Sequence, residues 1–303
     1  MPIDAWNLGP RCASLPGIRG DSIHTFVVSA LMLMVCTVVA LILPSPAHAV
    51  RPFVTDDARI ADVGQIEGET WFDFIPQDGR VMPVYNALFN VVPTDWLELG
   101  VSGGIGWDTD NTVTIVNQGL QGKLLFVRPV DGGLPGLSLV VGGILPWGRG
   151  SAWMDGYGGY IIAPVSVSLG GGDFLFHGNL GLVSGYPTIG EAVHRPFWGV
   201  GTDIAIGRSD FRGILEVFAG DPFDPLGPSL AGQVGTRWLV SDYLNLDVAG
   251  TFARATDVDG SVSGLDWSVQ FGVRFLIDAF TRGGAPGDTE GARGMVMWRS
   301  GTD

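Results

Sequence analysis

The stretch LDWSVQFGVRFLI, Leu265 to Ile277, has a period of two. Its odd positions are Leu265, Trp267, Val269, Phe271, Val273, Phe275 and Ile277, all apolar. Its even positions are Asp266, Ser268, Gln270, Gly272 and Arg274, with Leu276 as the exception. Strand side chains alternate between faces, so this pattern demands one oily face and one wet face. It recurs in WLELGVSGGIGW (96–107), FLFHGNLGL (174–182), FRGILEVFA (211–219, with Ile214 and Phe218 as blemishes) and YLNLDVAGTF (243–252). No helical period interrupts it.

About twelve such segments are expected, with bounds good to a few residues. They lie near 66–76, 82–92, 96–107, 113–128, 136–147, 157–169, 174–185, 194–207, 211–220, 229–240, 243–254 and 264–277. Tight links such as Thr94-Asp95 and Ser241-Asp242 alternate with longer ones: GRGSAWMDG, YPTIGEAVH, DPFDPLGPS and ATDVDGSVS. In an up-and-down barrel alternate links emerge at opposite mouths. Short turns at one mouth and longer loops at the other is the outer-membrane arrangement.

A soluble sandwich would turn the same oily face inward. Three features favour an outward, lipid-facing stripe instead. The wet face is rich in small residues (Gly100, Gly104, Gly106, Gly199, Gly201, Gly235). Aromatics gather at segment ends (Trp96, Trp107, Trp147, Tyr157, Trp198, Trp238, Tyr243), where interfacial girdles form. An even strand count also lets the sheet close, removing edges that lipid does not tolerate. The expected fold is all-β: a transmembrane antiparallel up-and-down β-barrel of about twelve strands over 66–280.

Composition narrows the function classes. Mean hydropathy is +0.30, yet 16% of residues are charged. Past residue 50 no apolar run approaches the roughly 20 residues of a spanning helix. The net charge of −14 argues against nucleic acid as a partner, because phosphate binding needs a basic face. The first 49 residues form a separate unit: Arg11 and Arg19, then the apolar run Phe26 to Leu43, then PSPAHA. Ala47-His48-Ala49 has the A-x-A form, so residues 1–49 are expected to be a signal peptide cut after Ala49. Both cysteines, Cys12 and Cys36, fall within it. Residues 50–65 are then a periplasmic leader. The Gly/Pro/charge-rich residues 281–303 are a disordered tail.

The leader, VRPFVTDDARIADVGQIEGETWFDF, carries Thr55-Asp56-Asp57 and Gly64-Gln65 ahead of a first strand rich in acids and aromatics. In these residues it resembles a family of outer-membrane transporters named after the MetA pathway of phenol degradation. The resemblance covers about 25 residues, Val50 to Phe74, and the general strand pattern beyond them. It implies uptake or export of small, aromatic or hydrophobic molecules. QFGVRFLI further resembles an outer-membrane insertion signal, with Gln270, Gly272, Phe275 and Ile277 as its key positions.

Two readings of Thr55, Asp56 and Asp57 stand. One is a latch that folds into the periplasmic mouth and hydrogen-bonds lumen arginines. The other, slightly preferred, is a solvated leader.

By the face assignment the lumen carries Glu67, Glu69, Asp73, Glu98, Asp203, Glu216, Asp247 and Asp266. Lys123, Arg212, Arg237 and Arg274 face them, and His177 also points inward. An acid excess of two to one suits either a weakly cation-preferring passage or a salt-bridged filling of the wall. Catalysis is not expected. Past the signal only His177 and His194 remain; HGNLG offers no serine along its strand, and EAVHRP is placed in an outer loop, so no Ser–His set is visible. No metal set and no cofactor are implied. Asp221, Asp224, Asp257 and Asp259 lack calcium-loop spacing.

The expected partners are the lipid bilayer, lipopolysaccharide, the outer-membrane insertion machinery and a small-molecule solute. The leading expectation is passive passage of that solute through an outer-membrane channel. The alternative is a non-conducting structural or adhesive barrel.

Overall fold

A computed structural model describes residues 53–280 apart from 78–79, 109, 153, 224–226 and 257–261. The expected signal peptide, residues 50–52 and the expected tail lie outside the described residues, as do Asp224, Asp257 and Asp259.

Twelve antiparallel strands follow one another round a closed barrel. They are β1 (Gln65–Gln77), β2 (Arg80–Thr94), β3 (Leu97–Trp107), β4 (Val113–Val127), β5 (Gly136–Ile144), β6 (Gly156–Leu169), β7 (Phe174–Pro187), β8 (Val193–Ala205), β9 (Phe211–Ala219), β10 (Leu230–Ser241), β11 (Leu244–Thr256) and β12 (Val262–Asp278). Each strand pairs with its sequence neighbours, and β1 pairs with β12 from Gln65↔Asp278 to Phe74↔Val269. Every strand is therefore flanked on both sides. That satisfies its backbone groups without water.

The largest departure from the expected bounds is three residues, at the end of β5, which stops at Ile144 rather than 147. Pro146 follows, and a proline cannot donate to a ladder. The expected outer loop at 186–194 is a correction. Tyr186 and Pro187 belong to β7, and Val193 and His194 to β8, leaving a five-residue link, 188–192. Aromatic packing extends the two strands. Tyr186 stacks on Tyr157 at 5.1 Å, and His194 meets Tyr186 edge-on at 5.6 Å. The remaining links at that mouth reach eleven residues at 145–155 and ten at 220–229.

The opposite mouth has two-residue links after β2 and β10, the periplasmic end of an outer-membrane barrel. Its longest link, 128–135, is pinned to the neighbouring turn. The Asp131 carboxylate accepts from Ser168 Oγ at 2.7 Å and from the Gly171 and Gly172 amides at 2.8 and 3.2 Å. These bonds, the serine's first, hold its carboxyl below the usual range.

The alternation sorts the faces as the period demands. Val101, Leu120, Val141, Leu180, Val200, Leu215, Val234, Phe252 and Phe271 are exposed on the outer wall. Glu67, Asn90, Lys123, His177, Asp203, Gln233, Asp247 and Arg274 are buried on the inner one. Stacked rings mark both rims: Tyr157 with Tyr186 at the long-loop mouth, Phe211 with Trp238 at the short-turn mouth. A wall this apolar is stable against acyl chains and not against water.

The inside is not uniformly polar. Val140, Tyr160, Ile162, Val183 and Phe197 form one buried apolar cluster, and Ile60, Val92 and Leu125 a second. The positions that break the alternation, Ile214, Phe218 and Leu276, are all buried.

Val200, 60% exposed near the middle of β8, tests the sidedness. Val200→Arg is expected to destabilise the barrel by about 2–4 kcal/mol, measured by urea-driven unfolding in phospholipid vesicles. A change below experimental error would place that face away from lipid.

Candidate functional site

The leader does not stay outside. It turns at Gly64, whose φ of +87° suits glycine; a Cβ there would meet the Phe280 carbonyl oxygen at 2.7 Å. The Gly64 amide donates to the Val92 carbonyl at 2.9 Å, anchoring the turn at the short-turn mouth. From there residues 63 back to 53 run up into the barrel.

The preferred reading of Thr55-Asp56-Asp57 as a solvated leader is therefore overturned. Thr55 is 1% exposed and Asp57 2%. The inner wall supplies partners for the leader's backbone, which has no sheet to join. The Val54 amide donates to Glu216 Oε2 at 3.0 Å, and the Thr55 amide makes a short bond to Oε1 of the same carboxylate. Asn179 grips Asp56 twice, accepting from its amide at 2.7 Å and donating to its carbonyl at 2.8 Å. The Ala58 amide donates to Ser166 Oγ at 2.9 Å. Glycines make the room: a Cβ at Gly199 would overlap Thr55 Oγ1, and one at Gly201 would lie 3.0 Å from the Phe53 ring.

The latch alternative is also corrected in its partners. Asp56 pairs with Lys123 Nζ at 2.9 Å. Asp57 pairs with the leader's own Arg59, whose Nε lies 2.5 Å away. Asp57 also accepts from Ser166 Oγ at 3.0 Å. Arg237 also reaches the leader, 5.9 Å over the Phe53 ring.

The inward arginines pair with inward acids. Arg237 reaches Asp203 at 2.8 Å through Nη1 and Asp247 at 2.7 Å through Nε. Arg212 binds Asp203 in a short contact. Arg274 lies 2.5 Å from Glu67 and 3.8 Å from Glu69. Asp73 accepts from Trp71 Nε1 and Asn86 Nδ2, both at 2.9 Å. Asp266 stands apart, exposed near the long-loop end of β12. Gln270 and Gly272 are inward and buried, while Phe275 and Ile277 face outward.

His177 and Ser166 form a cross-strand pair, Nδ1 to Oγ at 2.9 Å. The serine missing along the strand of His177 comes from the neighbouring strand. Asp57 bonds that serine, and His177 Nδ1 is 4.0 Å from the same carboxylate. The hydroxyl is engaged by three partners beneath the leader, so the group serves as a clasp. His194 sits in β8, with Nδ1 2.9 Å from Ser184 Oγ. Among the described residues no three His, Cys, Asp or Glu side chains converge as a metal site.

Beside the leader remains a cavity of ≈ 50 Å³, room for a few waters. Phe53, Val54, Asp56 and Arg59 form its leader side. Leu88, Glu98, Lys123, Val140 and Tyr160 belong to the barrel wall, and Phe223 enters from the 220–229 link.

The architecture has a counterpart among solved structures. The COG4313 outer membrane channel from Pseudomonas putida F1 superposes with a TM-score of 0.52 at 10% identity, covering 73% of this chain and 98% of that one. This chain has the outer-membrane β-barrel fold. The closed ladder and apolar wall place it in a bacterial outer membrane. The NanC porin gives a lower TM-score, 0.48, at 9% identity over 69% of this chain and 98% of that one. No family model matches the chain, and no curated protein matches it.

Residues 44–303 contain no cysteine, so the seat of the leader is open to single-cysteine labelling. Thr55→Cys is expected to resist a membrane-impermeant maleimide in the folded barrel. Adding Glu216→Ala leaves two buried amides without an acceptor, at about 1–3 kcal/mol each, and labelling should accelerate roughly tenfold or more. Gly199→Val should act in the same direction by filling the groove. Equal labelling rates in all three proteins would contradict the seat.

Proposed function

We propose that the protein is an outer-membrane channel for a small solute, held closed at rest by its own leader. The observation that carries this reading is the seat at Glu216, Asn179, Ser166 and Lys123. Four wall strands place side chains that match the leader's backbone and Asp56, while the wall's own ladder is complete without it. A leader needed only to fill the barrel would require apolar burial alone. This one buries Phe53 and Ile60 and is also addressed through particular donors and acceptors.

Thr55, Asp56 and Asp57 are thus assigned as the latch. The ion pairs among Arg212, Arg237, Arg274 and their carboxylates are assigned as props that hold the wall open once the leader withdraws. Entry into the membrane is assigned to the signal peptide (1–49) and to Gln270, Gly272, Phe275 and Ile277 as the segment read by the insertion machinery. Lipopolysaccharide is assigned to the long-loop rim. The resemblance of the leader to the MetA-pathway transporters supports a small aromatic or hydrophobic solute.

The opposing reading is a non-conducting structural barrel, which the filled lumen favours. Planar-bilayer recording separates the two. The mature wild-type protein is expected to conduct rarely and in small steps. A variant lacking residues 53–61 is expected to conduct at least several-fold more. If the shortened protein inserts but neither conducts nor passes solute into liposomes, the structural reading replaces the channel.

A further inference from the structure

The seat of the leader is a row of charged and polar groups in a fixed order. At one end the Glu216 carboxylate accepts from the Val54 amide at 3.0 Å and from the Thr55 amide in a short bond. In the middle Asn179 accepts from the Asp56 amide at 2.7 Å and donates to the Asp56 carbonyl at 2.8 Å. At the other end Lys123 Nζ holds the Asp56 carboxylate at 2.9 Å. The three wall residues stand on β9, β7 and β4 and are 1%, 6% and 2% exposed. Gly199 leaves room for the Thr55 side chain, since a Cβ there would overlap Oγ1. Oγ1 itself has no hydrogen-bond partner among the described residues, so the seat takes that side chain by size.

An anion, a carboxamide and a cation in this order match the groups of a free dipeptide with an acidic second residue. Its ends suit the seat better than the leader does. The N-terminal ammonium replaces the Thr55 amide. With three donors it serves both Glu216 oxygens, and a bond between ionised groups is roughly twice as strong as one from a neutral amide. The peptide N–H meets Asn179 Oδ1, and the α-carboxylate takes the place of the Asp56 carbonyl at Nδ2. The side-chain carboxylate takes that of Asp56 on Lys123. Glu98 stands opposite Lys123 by register, as it does with Asp56 bound, so the incoming carboxylate meets nothing there that the leader does not.

Resting on the reading of the leader as a latch that withdraws, we propose that the vacated seat is a binding site for a short acidic peptide. A dipeptide ending in aspartate is its smallest complete form, and the leader is its tethered competitor. The peptide binds in the leader's own place, not beside the seated leader. This class follows from the wall, whereas the resemblance of the leader supports an aromatic solute, and experiment separates the two.

The test is calorimetric titration, in detergent, of the full mature chain carrying Asp56→Pro. That change removes the leader's amide bond to Asn179 and its ion pair with Lys123, and leaves every wall residue in place. Threonyl-aspartate is expected to bind about tenfold more tightly than threonyl-asparagine, the loss of one charge-assisted contact. It is expected to bind the unaltered protein more weakly by about the same factor, because the leader holds the seat. Adding Lys123→Gln should abolish the preference for the acid. Adding Gly199→Val, which fills the place of the threonine side chain, should abolish binding of both dipeptides. Equal affinities, no binding by either dipeptide, a preference that survives Lys123→Gln, binding that survives Gly199→Val, or equal affinity for the unaltered protein would each overturn the site. Binding of benzyl alcohol but of neither dipeptide would assign the lumen to the aromatic class and overturn it too. Peptide binding without conductance by the protein lacking residues 53–61 would keep the site and remove the channel. Conductance without peptide binding would do the reverse.

Discussion

Closure of β1 on β12 is the pairing on which the rest depends. In hydrocarbon an unpaired amide or carbonyl costs several kcal/mol, so an open sheet of eleven ladders would not survive there. The ten register pairs from Gln65↔Asp278 to Phe74↔Val269 remove both edges at once. They also fix the faces, because a slip of β1 by one residue along this seam would turn Glu67 and Glu69 to lipid, away from Arg274. The Arg274–Glu67 ion pair crosses this same seam. The charge pairing and the ladder therefore select the same register.

Once the wall is closed, the inside must be resolved. Twelve strands enclose more space than their own side chains fill. Two kinds of filling meet there. Ion-paired arginines brace β8 to β12 and β1, and the leader with two apolar clusters occupies the side lined by β2 to β9. The division follows the sequence. The inward positions of β10 to β12 include Gln233, Arg237, Asn245, Asp247, Gln270 and Arg274, whereas those of β5 to β7 include Val140, Tyr160, Ile162 and Val183.

The barrel was legible because a period of two is a direct consequence of strand geometry, and it survives in every strand. Parity alone put the charged residues on one face of each strand. What parity could not supply was pairing. Counting acids against bases treats Asp247 and Glu98 alike, yet Asp247 is clamped by Arg237 and Glu98 is not. That difference depends on which strands neighbour one another and on how far each side chain reaches. The leader was misread because nothing in Thr55-Asp56-Asp57 marks it as buried. Its signal lay in the wall, at Gly199 and Gly201, where small residues were read as generic lumen filling. The blemishes carried the same message: Ile214 and Phe218 are apolar where the face should be wet, and both are buried inside the filled barrel. Ser166 was overlooked because a search along the strand of His177 cannot see a neighbour one strand away.

The mode of holding the leader has a consequence of its own. Beyond the Gly64–Val92 bond at the mouth, the wall strands spend their backbone groups on the ladder. The leader must be held by side chains, and Glu216, Asn179 and Ser166 do this from three different strands. Each such bond contributes on the order of 1 kcal/mol net, against several kcal/mol for a wall hydrogen bond broken in lipid. The two sets of bonds are thus separated in strength as well as in place. A force large enough to free the leader is therefore smaller than one that would open the wall.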